Sequence, residues 1–266
     1  GIYSLRYDQQ LRQAQSQYRS LQKKAIQRSP PQTISKKQNY SKKKYKKRTV
    51  TIPNIDFPLL WKYNSDIYAW IMIPDTNVSY PILQHSKYDT YYLNHNLNGS
   101  TGYPGCIFSK TQSKKDFTDA LLILYGHNMR NGTMFGSLKC YEKKEYWETH
   151  RWIHFYMPEN LCSYEAFAVF RTTVSEPETV FEQETATGAD ADANAGGQGE
   201  NFPYYRYAGN LNQEQFQNLI REVREYACYD TGIVPEYGDQ ILMLSTCSYH
   251  AKNGRVVVVA RAAKGK

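Results

Sequence analysis

Residues 244–260 read LSTCSYHAKNGRVVVVA and predict a β-hairpin. The first strand carries a thiol at Cys247, a polar turn follows, and the return strand begins at Arg255, eight residues further on. A cysteine needs help to act as a nucleophile at neutral pH, and a nearby permanent cation both favours the thiolate and stabilises an oxyanion. The hairpin therefore predicts a thiol and a guanidinium side by side.

A histidine that completes such a site stands at residue 127. It closes the run LLILYGH, residues 121–127, which predicts a buried strand that ends at a glycine-marked turn. His250 is the alternative, but a side chain in a tight turn tends to point to solvent, so we favour His127. Each of Cys247, Arg255 and His127 alone fits a structural role. Their combination favours cysteine chemistry.

The segments around these residues resemble those of the sortases, and specifically of the class B sortases. The similar segments are YGHNM at 125–129, TMF at 133–135, LSTC at 244–247 and RVVVVA at 255–260. Further similar segments are WIMIP at 70–74, YPILQ at 80–84, YYLN at 91–94 and GCIF at 105–108. The resemblance extends over residues 55–262, most of the chain.

The resemblance implies a mainly β fold: a closed, mostly antiparallel eight-stranded barrel with N-terminal helices and a long helix between strands six and seven. The sequence agrees with this expectation, because β-rich runs give eight strand candidates. They lie at residues 67–73, 78–84, 104–109, 119–126, 151–157, 163–172, 239–247 and 254–262. Apolar residues at three- and four-residue spacing predict the helix at 211–227, with Asn210 or Asn212 as its N-cap.

The resemblance also implies a cysteine transpeptidase that cleaves the C-terminal sorting signal of a surface protein or pilin after a threonine. Cys247 is expected to form the thioacyl-enzyme and Arg255 to hold the oxyanion. His127 is expected to act as general acid and then base, with an imidazole that titrates near neutral pH. The acceptor is expected to be a peptidoglycan cross-bridge amine or a pilin lysine.

Second-tier assignments follow from the same resemblance. Asn94, Ser245 and Thr246 are expected to bind the substrate. Ser248 and Tyr249 stand where some class B members carry acidic residues, so the sequence identifies no carboxylate to orient the histidine.

Two other functions fit parts of the sequence. A plain cysteine protease, a hydrolase, shares the nucleophile, although a papain-like enzyme needs its cysteine near the N-terminus and its histidine later. A non-catalytic scaffold for surface or pilus assembly keeps the sortase fold without an intact site. Trapping of an acyl group on Cys247 distinguishes these alternatives.

Charge is divided unevenly along the chain. Residues 1–50 carry 14 lysines and arginines against Asp8 alone, whereas residues 51–266 carry 19 against 24 acidic residues. We therefore expect a basic, partly helical, membrane-proximal tail at 1–50 and the catalytic domain at 51–266. No nucleic-acid-binding motif accompanies the basic residues, so no nucleic-acid partner is expected. A solvated linker fits the tail equally well.

The localisation expectation rests on the family. Sortases usually carry an N-terminal signal anchor, and the polar helix predicted at residues 3–27 has too few apolar residues to span a bilayer. We expect a single-pass protein of the cell membrane with an extracellular catalytic domain, held by an anchor that these residues lack.

No metal or cofactor is expected. The five cysteines show no C-x-x-C spacing, which argues against a zinc site or a redox pair. A calcium loop beginning at Asp190 lacks the required glycine at its sixth position, where Ala195 stands. The Ala-, Gly- and Asp-rich stretch 184–200 predicts a mobile loop. Pro31-Gln32-Thr33 matches the centre of a class B sorting motif, which we interpret as coincidence.

Overall fold

A computed structural model of the protein describes residues 2–27, 54–174, 201–248 and 253–263. For residues 2–6, 27, 247 and 248 the description covers the backbone. The helices are α1 (Ile2–Ala25), α2 (Phe57–Tyr63), α3 (Lys144–His150) and α4 (Gln213–Tyr226). The strands are β1 (Ile26–Gln27), β2 (Asn54–Ile55), β3 (Ile67–Met72), β4 (Ser79–Leu83), β5 (Ile107–Phe108), β6 (Leu121–Tyr125), β7 (Trp152–Met157), β8 (Asn160–Thr173), β9 (Ile241–Ser248) and β10 (Gly254–Ala262).

Strands β3 to β10 close into a barrel in the order β10-β8-β7-β3-β4-β5-β6-β9. The pairings β4–β5 and β6–β9 are parallel, and the others are antiparallel. The predicted closed, mostly antiparallel barrel of eight strands is thus confirmed. The eight predicted runs coincide with β3 to β10 to within a few residues at each end.

Strand β9 carries Cys247 near its C-terminal end. It pairs with β6 on one side and with β10 on the other. All five residues of β6 are buried, and so are the first seven residues of β10. The apolar runs that predicted these strands are continuous because both faces of each strand are covered.

Helix α4 confirms the predicted long helix between the sixth and seventh barrel strands. Its N-cap is Asn212, whose side chain accepts a hydrogen bond from the Gln215 amide at 2.9 Å while the Gln215 side chain accepts one from the Asn212 amide at 3.0 Å. This reciprocal pair is a capping box. The buried stripe packs on the barrel and consists of Phe216, Leu219, Ile220 and Val223.

Helix α1 packs on the barrel, within the stretch expected to be a tail. Its buried residues are Ala14, Tyr18, Leu21 and Ala25, at the three- and four-residue spacing of one helix face. Strand β1 follows directly and pairs with β2, a short pairing that the sequence did not predict. The division at residue 50 stays a prediction, and α1 contacts the barrel from the N-terminal side of it.

The expected single-pass membrane localisation is wrong on the structure. Across residues 2–27, 54–174, 201–248 and 253–263, no helix combines the length and apolar character that a membrane span requires. The 24-residue α1 has the length, but arginine, lysine and glutamine side chains interrupt its apolar stripe.

Candidate active site

The β9–β10 ladder places two of the predicted site residues opposite each other. In this antiparallel pair the Cα of Arg255 is the partner of the Cα of Cys247. Directly opposite positions of an antiparallel pair belong to the same face of the sheet. The predicted hairpin therefore brings its cysteine and its arginine together as adjacent positions.

The third predicted residue follows the neighbouring strand, β6. In the parallel β6–β9 pair, Tyr125 is level with Ser245, and the Gly126 amide donates to the Ser245 carbonyl at 3.2 Å. His127 follows Tyr125 by two residues, just as Cys247 follows Ser245 on β9. The chain thus enters the site at position 127 directly after the strand that neighbours β9, although 120 residues separate His127 from Cys247.

His127 is buried, with 8% of its surface exposed, and its imidazole is oriented by the backbone. Its Nε2 donates a hydrogen bond to the Leu93 carbonyl at 2.6 Å. A carbonyl can only accept, so this bond puts the proton of the neutral ring on Nε2 and the lone pair on Nδ1. The Tyr103 ring covers the imidazole at a centroid distance of 5.0 Å and an angle of 57°.

Burial lowers the pKa of the His127 imidazole to about 4, and the hydrogen bond to Leu93 opposes this shift only in part. The expected titration near neutral pH is therefore wrong. The ring is neutral at physiological pH, with a lone pair that can accept a proton.

The loop after His127 is fixed by backbone contacts. The Phe135 amide donates to the His127 carbonyl at 3.0 Å, and Asn128 forms a β-bridge with Met134. Met134 has a φ of 52°, and its amide donates to the Tyr80 hydroxyl at 3.0 Å. Through these contacts the segment TMF at 133–135 closes the loop back onto the histidine.

Gly126, just before the histidine, admits no side chain. A Cβ there would collide with Ile107 and Phe135. The turn from β6 into the site is thus packed against the barrel wall, which fixes where the following residue begins.

Arg255 is almost fully buried, with 3% of its surface exposed. Its Nη1 donates to the Gly254 carbonyl at 2.9 Å. Burial of the guanidinium holds a permanent positive charge at one position next to β9.

The second-tier residues occupy three different environments. Asn94 is exposed and directly follows Leu93, the acceptor of the His127 hydrogen bond. Ser245 and Thr246 are buried on β9. The Ser245 hydroxyl lies 2.7 Å from the Tyr204 hydroxyl, and the Thr246 hydroxyl donates to the Gly126 carbonyl at 2.7 Å. Their role in substrate binding stays a prediction.

Sequence reasoning missed two contributors to the site, Leu93 and Tyr103. Leu93 acts through its carbonyl, which every residue type carries, so no side-chain pattern reports it. Tyr103 contacts the histidine from a segment that is distant in sequence, and no regular residue spacing links the two. Leu93 lies within the segment YYLN, and the resemblance of that segment to the class B sortases is the sequence signal that could have indicated it.

Several residues discussed from the sequence lie outside the described ones. They are the alternative histidine His250, the stretch 184–200 with its calcium-like residues, and Pro31-Gln32-Thr33. The other four cysteines are described and are free thiols: Cys106, Cys140, Cys162 and Cys228. Burial raises the pKa of Cys106 to about 12, which makes that thiol unreactive.

Comparison with protein-family models gives one match over most of the chain. Residues 71–263 match the model of the sortase domain. Two curated relatives are both described as sortase B. The protein from Listeria monocytogenes is 31% identical over 205 residues, which cover 75% of this chain and 70% of the relative. The protein from Staphylococcus aureus is 27% identical over 212 residues, which cover 78% and 75%.

Comparison with solved structures agrees. The Staphylococcus aureus sortase B-substrate complex superposes with a TM-score of 0.63 at 26% sequence identity. The match covers 79% of this chain and 85% of that one. Fold, family model and relatives therefore point to one protein family.

Proposed function

The chain belongs to the sortase family as a class B member, a cysteine transpeptidase, and on this premise we propose that Cys247 is its nucleophile and His127 and Arg255 its catalytic partners. One observation carries this assignment. Arg255 is the partner of Cys247 in the β9–β10 ladder, and His127 follows the end of β6, which pairs with β9 on its other side.

The first step is attack of the Cys247 sulfur on the threonine carbonyl of a sorting signal. The thiol proton passes to the lone pair of His127 as the S–C bond forms. Burial lowers the pKa of His127 to about 4, so the ring is unprotonated before the substrate arrives, and the developing oxyanion together with the Leu93 carbonyl favours its protonation as the intermediate forms. The tetrahedral intermediate then carries an oxyanion next to an imidazolium.

Collapse of the intermediate breaks the peptide bond. The imidazolium gives its proton to the leaving amine, and the thioacyl-enzyme remains on Cys247. An incoming amine then attacks the thioester, His127 takes the proton from that amine, and the thiolate leaves and is reprotonated. The Leu93 carbonyl stabilises the imidazolium in both halves, because its partner Nε2–H becomes more acidic when the ring is charged.

Arg255 holds the oxyanion. Its position opposite Cys247 on β10 and its contact with the Gly254 carbonyl fix a permanent charge beside the reacting carbonyl. A buried, preorganised donor of this kind typically contributes a factor of about 100 to 1,000 in rate.

The substrate lies along the end of β9 in this proposal. Exposed Asn94 contacts the sorting signal near the histidine. The backbone of β9 at Ser245 and Thr246, directly before Cys247, binds the signal on the other side. Their hydroxyl contacts with Tyr204 and Gly126 support the strand from behind.

Sortases act on surface proteins with sorting motifs and on amine nucleophiles. For this protein we propose a surface protein or pilin as acyl donor and a peptidoglycan cross-bridge amine or a pilin lysine as acceptor.

A transfer assay tests the proposal. Peptides with Asn-Pro-Gln-Thr or Pro-Pro-Lys-Thr motifs are incubated with the full chain and either a glycine oligomer or a lysine peptide, and products are identified by mass spectrometry. We expect ligation to at least one acceptor and none with Cys247→Ala. Hydrolysis without ligation for every acceptor would make the protein a protease. No cleavage of any peptide would make it a scaffold.

A further inference from the structure

Residues 102–106 lie between α1 and the His127 imidazole. They contact the ring itself and the backbone around the Leu93 carbonyl, which accepts the hydrogen bond of the ring. Tyr103 covers the ring itself at 5.0 Å. Gly105, with a φ of 64°, approaches the carbonyls of Tyr92 and Leu93 so closely that a Cβ would collide with both. The Cys106 amide donates to the Tyr92 carbonyl at 2.9 Å. Segment 102–106 therefore supports both the ring and its hydrogen-bond acceptor.

Helix α1 holds the same segment from the other side. The ring of Tyr7 meets the ring of Tyr103 edge to face, with centroids 5.5 Å apart. The Tyr18 hydroxyl donates to the Gly105 carbonyl at 2.9 Å, a buried bond that spans 87 residues of sequence. The Gln10 side chain lies over Gly102. Three contacts spread over more than two helical turns thus fix the segment.

The helix itself is anchored, so it can act as a support. Tyr18 packs edge to face against Tyr80 at 5.3 Å, and Gln22 donates to the Ser79 carbonyl at 2.6 Å. At its C-terminal end the Ala25 carbonyl accepts from the Asp56 amide at 2.9 Å. Tyr80 also accepts from the Met134 amide, so α1 reaches the loop after the histidine by a second route.

We propose that α1 is a positioning element for the catalytic histidine, acting through Tyr7 and Tyr103. This proposal rests on the catalytic role assigned to His127 above. Tyr103 acts on the imidazole directly, and Tyr7 acts through Tyr103. They act by holding the imidazole at one angle and by keeping water from one of its faces.

The expected size of the effect follows from the ring contacts. An edge-to-face aromatic pair contributes enough to change an equilibrium about 2- to 12-fold. Misplacement of a catalytic group by about 1 Å costs about 100-fold in rate. We therefore expect Tyr7→Ala to lower kcat about 2- to 12-fold, and Tyr103→Ala to lower it by about 10-fold or more. KM should change less than kcat, because Tyr7 and Tyr103 act on the histidine, whereas the proposed substrate lies along the end of β9.

The test combines kinetics with a signal from the histidine itself. The full-length variants Tyr7→Ala, Tyr7→Leu, Tyr7→Phe and Tyr103→Ala are compared with Gln9→Ala, a substitution at an exposed neighbour on α1. Side-chain NMR follows the titration of His127, and thermal unfolding verifies the fold. Tyr7→Leu keeps apolar bulk without the ring, and Tyr7→Phe keeps the ring.

We expect Tyr7→Ala, Tyr7→Leu and Tyr103→Ala to raise the pKa of His127 toward its ordinary value, because water gains access to the ring, and to lower kcat. Tyr7→Phe and Gln9→Ala should match the wild type. Folded Tyr7→Ala and Tyr7→Leu variants with wild-type titration and kcat would overturn the proposal. A shifted titration in a protein that transfers no peptide would instead contradict the proposed function and leave the positioning role standing.

Discussion

The proposed chemistry depends on His127, whose imidazole is held neutral inside the protein. The sequence showed a histidine at a strand end but not its environment. Burial and the Leu93 carbonyl set its protonation state, and Leu93 lies 34 residues away in the chain. The lowered pKa of the buried imidazole also affects the stability of the fold.

Acid should destabilise the fold through His127. Its pKa is about 4 when folded and 6.5 in the unfolded chain, so the unfolded state binds the extra proton between these values. This contribution to stability is fully present above pH 6.5 and is lost as the pH falls through 4. The full loss is about 3 kcal/mol.

Urea unfolding between pH 7.5 and 4.5 measures this effect. His127→Asn should flatten the pH dependence of the free energy of unfolding. A residual slope remains, because burial also lowers the pKa of His154. A variant with the wild-type pH dependence would contradict the burial argument.

Arg255 should not be replaceable by lysine. The guanidinium offers a planar fork of donors, whereas an ammonium is a point charge on a flexible stem. We expect Arg255→Lys to lower kcat by about 100-fold or more. Arg261→Lys is the matched control on the same strand, where the arginine pairs with Glu165 at 3.5 Å. Equal activity in the two variants would argue against the oxyanion role.

At the scale of elements, the parallel pairing of β6 with β9 sets the strand that precedes the histidine beside the strand that carries the cysteine. The Thr246 hydroxyl ties the ends of these strands by donating to the Gly126 carbonyl at 2.7 Å. This contact joins the residues that immediately precede positions 127 and 247, so it affects stability and geometry together.

Thr246→Val removes this hydrogen bond with little change in shape. We expect a loss of about 1 kcal/mol in the free energy of unfolding, together with a lower kcat. Thr231→Val is the control, because the Thr231 hydroxyl makes a bond of the same length to the Phe167 carbonyl, away from β6 and β9. Chemical denaturation and the transfer assay should show similar destabilisation in both variants but reduced turnover in Thr246→Val alone.

The elements differ in how well the sequence predicted them. Strand β6 is the run LLILY, β10 contains the apolar run 256–260, and α4 carries large side chains at helical spacing, so their patterns were unambiguous. The packed face of α1 includes Ala14 and Ala25, whose small side chains gave little signal among glutamines and arginines. The stretch was therefore interpreted as a tail, although alanine allows the helix to lie close against the barrel.

At the scale of the whole molecule, barrel closure brings distant segments to one place. Strand β9 joins β6 by a parallel pairing and β10 by an antiparallel hairpin. Short-range patterns predict the hairpin, because Cys247 and Arg255 are near in sequence. The histidine was identified as the residue that closes the apolar run 121–127 at a glycine-marked turn, and the resemblance then supported it, because no periodicity connects residues 127 and 247. Contacts such as Tyr103 with His127 depend on the three-dimensional path and could not be predicted.

The central claim is that Cys247 carries the acyl group during transfer. The direct measurement is intact-protein and peptide mass spectrometry after brief mixing with a sorting peptide and no acceptor. We predict a mass increase equal to the N-terminal peptide fragment minus one water, the mass of its acyl group, on the peptide that contains Cys247. This adduct should be removable by hydroxylamine and absent from Cys247→Ala. An adduct on exposed Cys228 instead, or transfer that persists in Cys247→Ala, would contradict the account.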